Sequence, residues 1–302
     1  MRRLRIPTPL LWLAARPLAL YALYTLAVFV VAFVATFPGD LLVERILAAA
    51  ENPHVSLLAR EKRFRWLSGI ELGGVRLSRK PVREGVPPIL ECASVVLRPD
   101  YFSLLRGNGP SFSLFSRLYG GDATVVATPE DGTVRATLEW SALDLARYRA
   151  LRQWIPEGEI RGLFAGKGQL LWPSGPEDGE QPRASFEMLV ADAAIEGAKV
   201  AGFGVPDLHF RELRTRWTLD GPQLQIEEFA AQGEELSVQA SGVVGLRRPA
   251  SRSTLNLRVT LQPGRGKKDA LALLLALLPR PPEAKERMPI VVTGTLERPQ
   301  FR

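Results

Sequence analysis

The sequence predicts a mainly β protein, in which a single N-terminal transmembrane helix leads into a curved, open, antiparallel β-sheet domain with a few short helices. Three observations carry this reading. An uncharged apolar run stands near the N-terminus, apolar and polar residues alternate along much of the remaining chain, and a glycine-to-proline spacing recurs within the alternating segments.

The apolar run fixes the first element. No charged side chain occurs from Pro17 to Gly39, and Leu18 to Phe37 is broken only by the polar tips of Tyr21, Tyr24, Thr25 and Thr36. About 20 residues at ~1.5 Å rise cover the ~30 Å hydrocarbon layer. Leu18, Leu20, Leu23, Leu26, Phe29, Val30, Phe33 and Phe37 surround the whole helix circumference, whereas a soluble helix would keep a polar face. A cleaved signal peptide fits less well, because the run exceeds an ordinary h-region and Phe37-Pro38-Gly39-Asp40 offers no small-residue cleavage site.

Charge gives the orientation. The chain has 302 residues and a formal charge of +7. Arg2, Arg3, Arg5 and Arg16 precede the run with no acidic residue among them, leaving 35 basic against 32 acidic residues elsewhere. The basic excess is therefore largely a positive-inside signal, which puts the N-terminus in the cytoplasm, rather than a nucleic-acid footprint. The expected organisation is a basic N-terminus over 1–16, a transmembrane helix over 17–39, a juxtamembrane helix and linker over 40–62, and a β domain over 63–302.

Leu41, Leu42, Ile46 and Leu47, with Glu44, Arg45 and Glu51 between them, predict a short amphipathic helix capped by Asp40 and ended by Asn52-Pro53. Beyond Arg63 the period becomes 2. Val134 to Trp140 alternates without error, and Leu255, Leu257, Val259 and Leu261 face away from Asn256, Arg258 and Thr260. The same pattern marks Leu213 to Leu219, Leu236, Val238, Ala240, Val244 and Leu246, and Ile290, Val292 and Leu296. Two segments depart from it: Leu145, Tyr148, Leu151 and Ile155 have helical spacing, and Lys267 to Leu278 reads as a leucine-rich helix too short to span a bilayer.

Gly168 to Pro173 and Gly294 to Pro299 share the spacing G-x-L-x-x-P, and Gly242 to Pro249 is a longer version. Glycine within a strand suggests a bulge and proline a stop, so repeated units suggest a long, open sheet. Leu236, Val238, Leu255, Leu257, Val259, Ile290, Val292 and Leu296 would build its core or line a groove.

Chemistry-bearing motifs are sparse. Gly166-Lys167-Gly168 lacks the spacing and the Ser or Thr of a phosphate loop. His209 reads as an ordinary strand residue, and Cys92, the sole cysteine, as a buried small hydrophobe rather than a cross-linking thiol. Arg214 and Arg216, like Arg247 and Arg248, read as solvated residues, with anionic lipid or an acidic partner as the functional alternative. No catalytic residue, metal ligand or cofactor is expected.

The span ending in Thr36-Phe37-Pro38-Gly39-Asp40, the segment Ser68 to Leu77, the Tyr119-Gly120-Gly121-Asp122 step, Gly242 with Ser253 to Leu257, and the closing Gly294-Thr295-Leu296 with Pro299 occur in one order along nearly the whole chain. In that order they resemble the type II secretion system protein N family, and the glycine-strand-proline ending is also similar to AsmA-like, bridge-like envelope proteins. The resemblance implies a single-pass protein of the bacterial inner membrane with a periplasmic C-terminal domain. Its implied role is non-enzymatic and accessory, in export of folded proteins across the outer membrane, with secretion-apparatus proteins as partners. It implies no cofactor, and nucleic acid is not an expected partner. The link to lipid-handling folds makes phospholipid in an apolar groove the alternative.

Overall fold

The computed structural model describes residues 24–29, 32, 36, 38–51, 53–65, 69–83, 85–100, 103, 111–130, 132–153, 158–173, 181–200, 203–204, 207–264 and 288–302. Helix α1 spans Gly39–Ala50. The strands are β1 (Val55–Leu58), β2 (Glu61–Arg65), β3 (Gly69–Arg79), β4 (Leu90–Asp100), β5 (Ser111–Leu118), β6 (Gly121–Glu130), β7 (Thr133–Asp144), β8 (Glu159–Pro173) and β9 (Arg183–Glu196). They continue with β10 (Lys199–Val200), β11 (Phe203–Gly204), β12 (Leu208–Asp220), β13 (Gln223–Gly233), β14 (Leu236–Gly245), β15 (Thr254–Pro263), β16 (Met288–Thr295) and β17 (Pro299–Phe301).

Fifteen of these strands form one open antiparallel sheet, in which spatial order follows chain order from β3 to β17 apart from the small β10–β11 ribbon. β1 and β2 lie end to end along one edge of β3. Such a meander needs only hairpin connections, and Tyr119-Gly120 makes the tightest kind: both residues have positive φ, 49° and 85°, in a two-residue turn between Leu118 and Gly121.

Antiparallel partners share a face, so the registers can be followed across the sheet. One row runs from Leu97 through Leu114, Val125 and Leu138, over Gly168 to Phe186, Trp217 and Ile226, then over Gly242 to Leu257 and Val292. The adjacent row on the opposite face reads Glu139, Lys167, Glu187, Arg216, Glu228. The sheet is thus apolar along one side, while the other carries this charged row across β7, β8, β9, β12 and β13 and uncharged residues such as Phe115, Val243 and Val291 beyond it.

A single layer buries little. Val43 and Ser253 are the largest side chains that fall below 2% exposure among the described residues, and three clusters on the apolar face hold most of the packing. α1 seats Val43 and Leu47 on Ile70, covering β3 and β4. Val75, Cys92, Leu118 and Leu143 form the second cluster, and Val190, Ala193, Phe210 and Ala231 the third. Bulges bend the strands beside these clusters, at Trp140/Leu143, Arg161/Leu163, Phe210/Glu212 and Ile226/Phe229.

Several expectations change. α1 is preceded by Pro38 with no side-chain cap, and Asp40 instead lies in the first turn, where its charge suits the helix dipole. β1 and the first two residues of β2 occupy the stretch expected as linker, so pairing begins before Arg63. The segment expected as a helix from Leu143 continues β7 to Asp144 and then makes two 3-10 turns, Leu145–Arg147 and Arg149–Gln153. Pro173 ends β8 as expected, whereas Pro299 begins β17. Leu296 lies past the end of β16 and is 52% exposed, so it leaves the core set, and Leu246 likewise falls beyond β14.

Of the expected anchor, only Leu26 and Phe29 are described, both exposed on the helical residues 24–29. Leu18, Leu20, Leu23, Val30, Phe33 and Phe37 lie outside the described residues, as does Lys267 to Leu278. Among the described residues no helix is long and apolar enough to cross a membrane.

Candidate binding surface

Leu236, Val238, Leu255, Leu257, Val259, Ile290 and Val292 share the apolar face: Val238 opposes Leu261, Leu257 opposes both Gly242 and Val292, and Val259 opposes Ile290. Ile290 is buried at 6% exposure, while Leu236, Val238, Leu255, Leu257, Val259 and Val292 are half-buried. Half-burial is what one covering layer fewer than a sandwich produces.

The middle of this face is aromatic. The Trp140 ring lies 5.4 Å from Phe164 and 6.2 Å from Phe186, and Phe186 stacks on Trp217 at 4.4 Å. Gly166 and Gly168 on β8 make the arrangement possible. A Cβ on Gly166 would come within 2.5 Å of the Trp140 ring and one on Gly168 closer still to the Phe186 ring, so both rings need bare backbone beneath them. The buried Trp140 Nε1–H has no acceptor among the described residues. A buried indole donor ordinarily has one.

The opposite face holds a broad 580 Å³ hollow lined by the charged row. Lys167 Nζ approaches Glu187 Oε2 at 3.1 Å, and Arg216 Nε approaches Glu187 Oε1 at 3.3 Å. The hydrogen bond from Lys167, ahead of the Arg216 charge, holds the Glu187 carboxyl below the usual range and therefore ionised. A carboxylate pinned between two cations is a poor proton donor or acceptor near neutrality.

The singled-out residues take structural places. Lys167 belongs to the charge row and its flanking glycines to the ring floor. His209 is exposed between Glu196 at 3.7 Å and Glu235 at 3.8 Å. Cys92 is buried, which pushes its thiol pKa up. Arg214 and Arg216 are paired with Glu212 and Glu187 on the charged face, and Arg247 and Arg248 are exposed. Among the described residues no group of three His, Cys, Asp or Glu side chains could hold a metal ion.

The free edges are guarded. β17 has three residues, Arg302 already exchanges both backbone hydrogen bonds with Val291, and Pro289 removes the next outward N–H of β16. At the other edge β2 carries exposed Glu61, Lys62 and Arg63. The extended surface the fold leaves open is therefore a face, not an edge.

No protein-family model matches the chain, and comparison with curated proteins and with solved structures found no match.

Proposed function

We propose that the chain is a non-enzymatic accessory component of type II secretion, anchored in the inner membrane, that presents the apolar face of its β domain to a partner in the periplasm. The observation that carries this reading is the asymmetry of the sheet. Its apolar rows run without a charged interruption from Leu97 to Val292, while the reverse face carries an ion-paired charge row at its centre and both edges are blunted. An apolar surface of this extent marks an interaction site rather than an inert exterior. Supporting the secretion context, the segments that resemble the protein N family fall within ordered elements of the sheet: Gly69 to Leu77 along β3, Tyr119-Gly120 at the tight hairpin, and Gly294 with Pro299 at the closing pair.

One feature favours a second reading, an envelope lipid-binding protein. The aromatic floor holds a buried indole N–H, that of Trp140, with no acceptor among the described residues, and it could donate to an ester carbonyl among acyl chains.

Photo-crosslinking in intact cells separates them, with probes at Trp217 and Leu257 on the apolar face and Asn256 and Arg258 on the polar face. The secretion role expects apolar-face crosslinks to apparatus subunits. Phospholipid adducts at Trp217 and Leu257, with no apparatus subunit captured from any position, would replace it by the lipid reading.

A further inference from the structure

A second hollow of 630 Å³ lies where the β5–β6 turn stops short of β3 and β4. Five arginines reach it from three separated stretches of chain: Arg60 from the β1–β2 corner, Arg76 from β3, and Arg147, Arg149 and Arg152 from the 3-10 turns. Arg149 and Arg152 are three apart in one 3-10 helix, a spacing that aligns side chains on one side. Arg60 lies across Gly74, and the Arg147 guanidinium lies over Gly120, so backbone without Cβ atoms lets both approach closely.

Neighbouring carboxylates do not neutralise this charge. Arg76 is held by Glu91 at 3.1 Å and Arg147 by Asp144 at 3.1 Å. Arg60, Arg149 and Arg152 have no ion pair among the described residues and are exposed to the hollow. Three guanidiniums thus converge without counter-charge, each offering a planar fork that suits phosphate oxygens. The hollow has the size of a small-molecule site, and Ala93, Tyr119 and Ala146, none of them buried, also line it. An anion bound there would have apolar surface next to it.

We propose that this arginine cleft binds the phosphate group of an anionic phospholipid, with Arg60, Arg149 and Arg152 contacting the phosphate and Ala93, Tyr119 and Ala146 facing the ester end of the acyl chains. The assignment does not rest on the export reading, since it concerns a different surface and a different ligand. Arginine stays charged at all working pH values, so binding weakens with salt and not with pH.

The test uses the full chain in neutral phosphatidylcholine nanodiscs, titrated calorimetrically with dihexanoyl-phosphatidylglycerol and, separately, with inorganic phosphate. Two variants remove equal charge: R60Q/R149Q/R152Q in the cleft, and R247Q/R248Q/R298Q on exposed positions elsewhere. The expected result is loss of phosphatidylglycerol affinity by at least ~10-fold in the cleft variant only, the scale of losing charge-assisted hydrogen bonds. Equal affinity in the cleft variant and the parent overturns the site, as does an equal loss in the control variant. Inorganic phosphate binding as tightly as the lipid overturns the lipid source and assigns the cleft to a free anion. Thermal melting of each variant shows whether it is folded, and single R149Q and R152Q variants replace the triple if it is not.

Discussion

At the scale of single residues, the apolar face depends on where side chains are missing. Gly168 supports the Phe186 ring and Gly166 the Trp140 ring, so any Cβ there must displace an aromatic or its strand. Gly168→Val is expected to destabilise by about 1–3 kcal/mol, as overpacking does, and to shift tryptophan emission through Trp217, which stacks on Phe186. Denaturant unfolding followed by fluorescence checks both. Cys92 tests burial from the other side. Desolvation raises its thiol pKa above the ordinary 9.0, so maleimide labelling at pH 8 should be slow until denaturant opens the cluster. The sign of the linked effect follows: the folded state keeps the proton longer, so stability is intact below the ordinary thiol pKa and falls as pH rises past it. Cys92→Ala should remove that alkaline component from a pH series of melting curves.

Elements hold together by different means on the two sides of the sheet. Where α1 covers β3 and β4, burial dominates: Leu47 is 8% exposed against Ile70, and Leu47→Ala is expected to cost about 2–4 kcal/mol by equilibrium unfolding. On the charged side, the row from Glu139 to Glu228 fixes register instead. A slip of one residue would bring the apolar set to the solvent side, and a slip of two would break the opposite-charge pairing. Glu187→Lys places three cations side by side, and it should lower the melting temperature at low salt with substantial recovery in 1 M NaCl. A melting temperature insensitive to both changes would mean the row is decorative. The misread helix after Leu143 follows from the 3-10 turns, where Leu145, Tyr148 and Leu151 keep a spacing of three that the α-helical pattern shares. Just before it, the bulge at Ala142, whose φ is 53°, leaves Trp140 and Leu143 on one face three residues apart. Val190 and Ala193, Phe210 and Leu213, and Ile226 and Phe229 repeat it.

For the whole molecule, a meander in which each strand meets only its chain neighbours behaves like a one-dimensional array, with stability set by nearest-neighbour interfaces. Hydrogen exchange should therefore be graded: slowest in the long strands β8, β9 and β12, faster towards β2 and β17. Uniform protection across the sheet, read by mass spectrometry of peptides, would instead indicate one cooperative unit. The same geometry leaves the apolar face half-exposed, because no second layer exists among the described residues to cover its centre.

By itself the sequence determined the β character, the open antiparallel architecture and the division of each strand into an apolar and a polar side. These are local properties: alternation in Val134 to Trp140 or Thr254 to Gln262 records the pleat directly, since each residue reports its own face. The tertiary structure decided what depends on register and distance. It placed Gly166 and Gly168 under rings from neighbouring strands, lined up Glu139, Lys167, Glu187, Arg216 and Glu228 across five strands, and removed Leu296 from the core by ending β16 one residue earlier. It also gathered Arg60, Arg76 and Arg149 into one cleft. No periodicity along the chain encodes such a meeting, because it is set by where strands end and how the connections between them fold back.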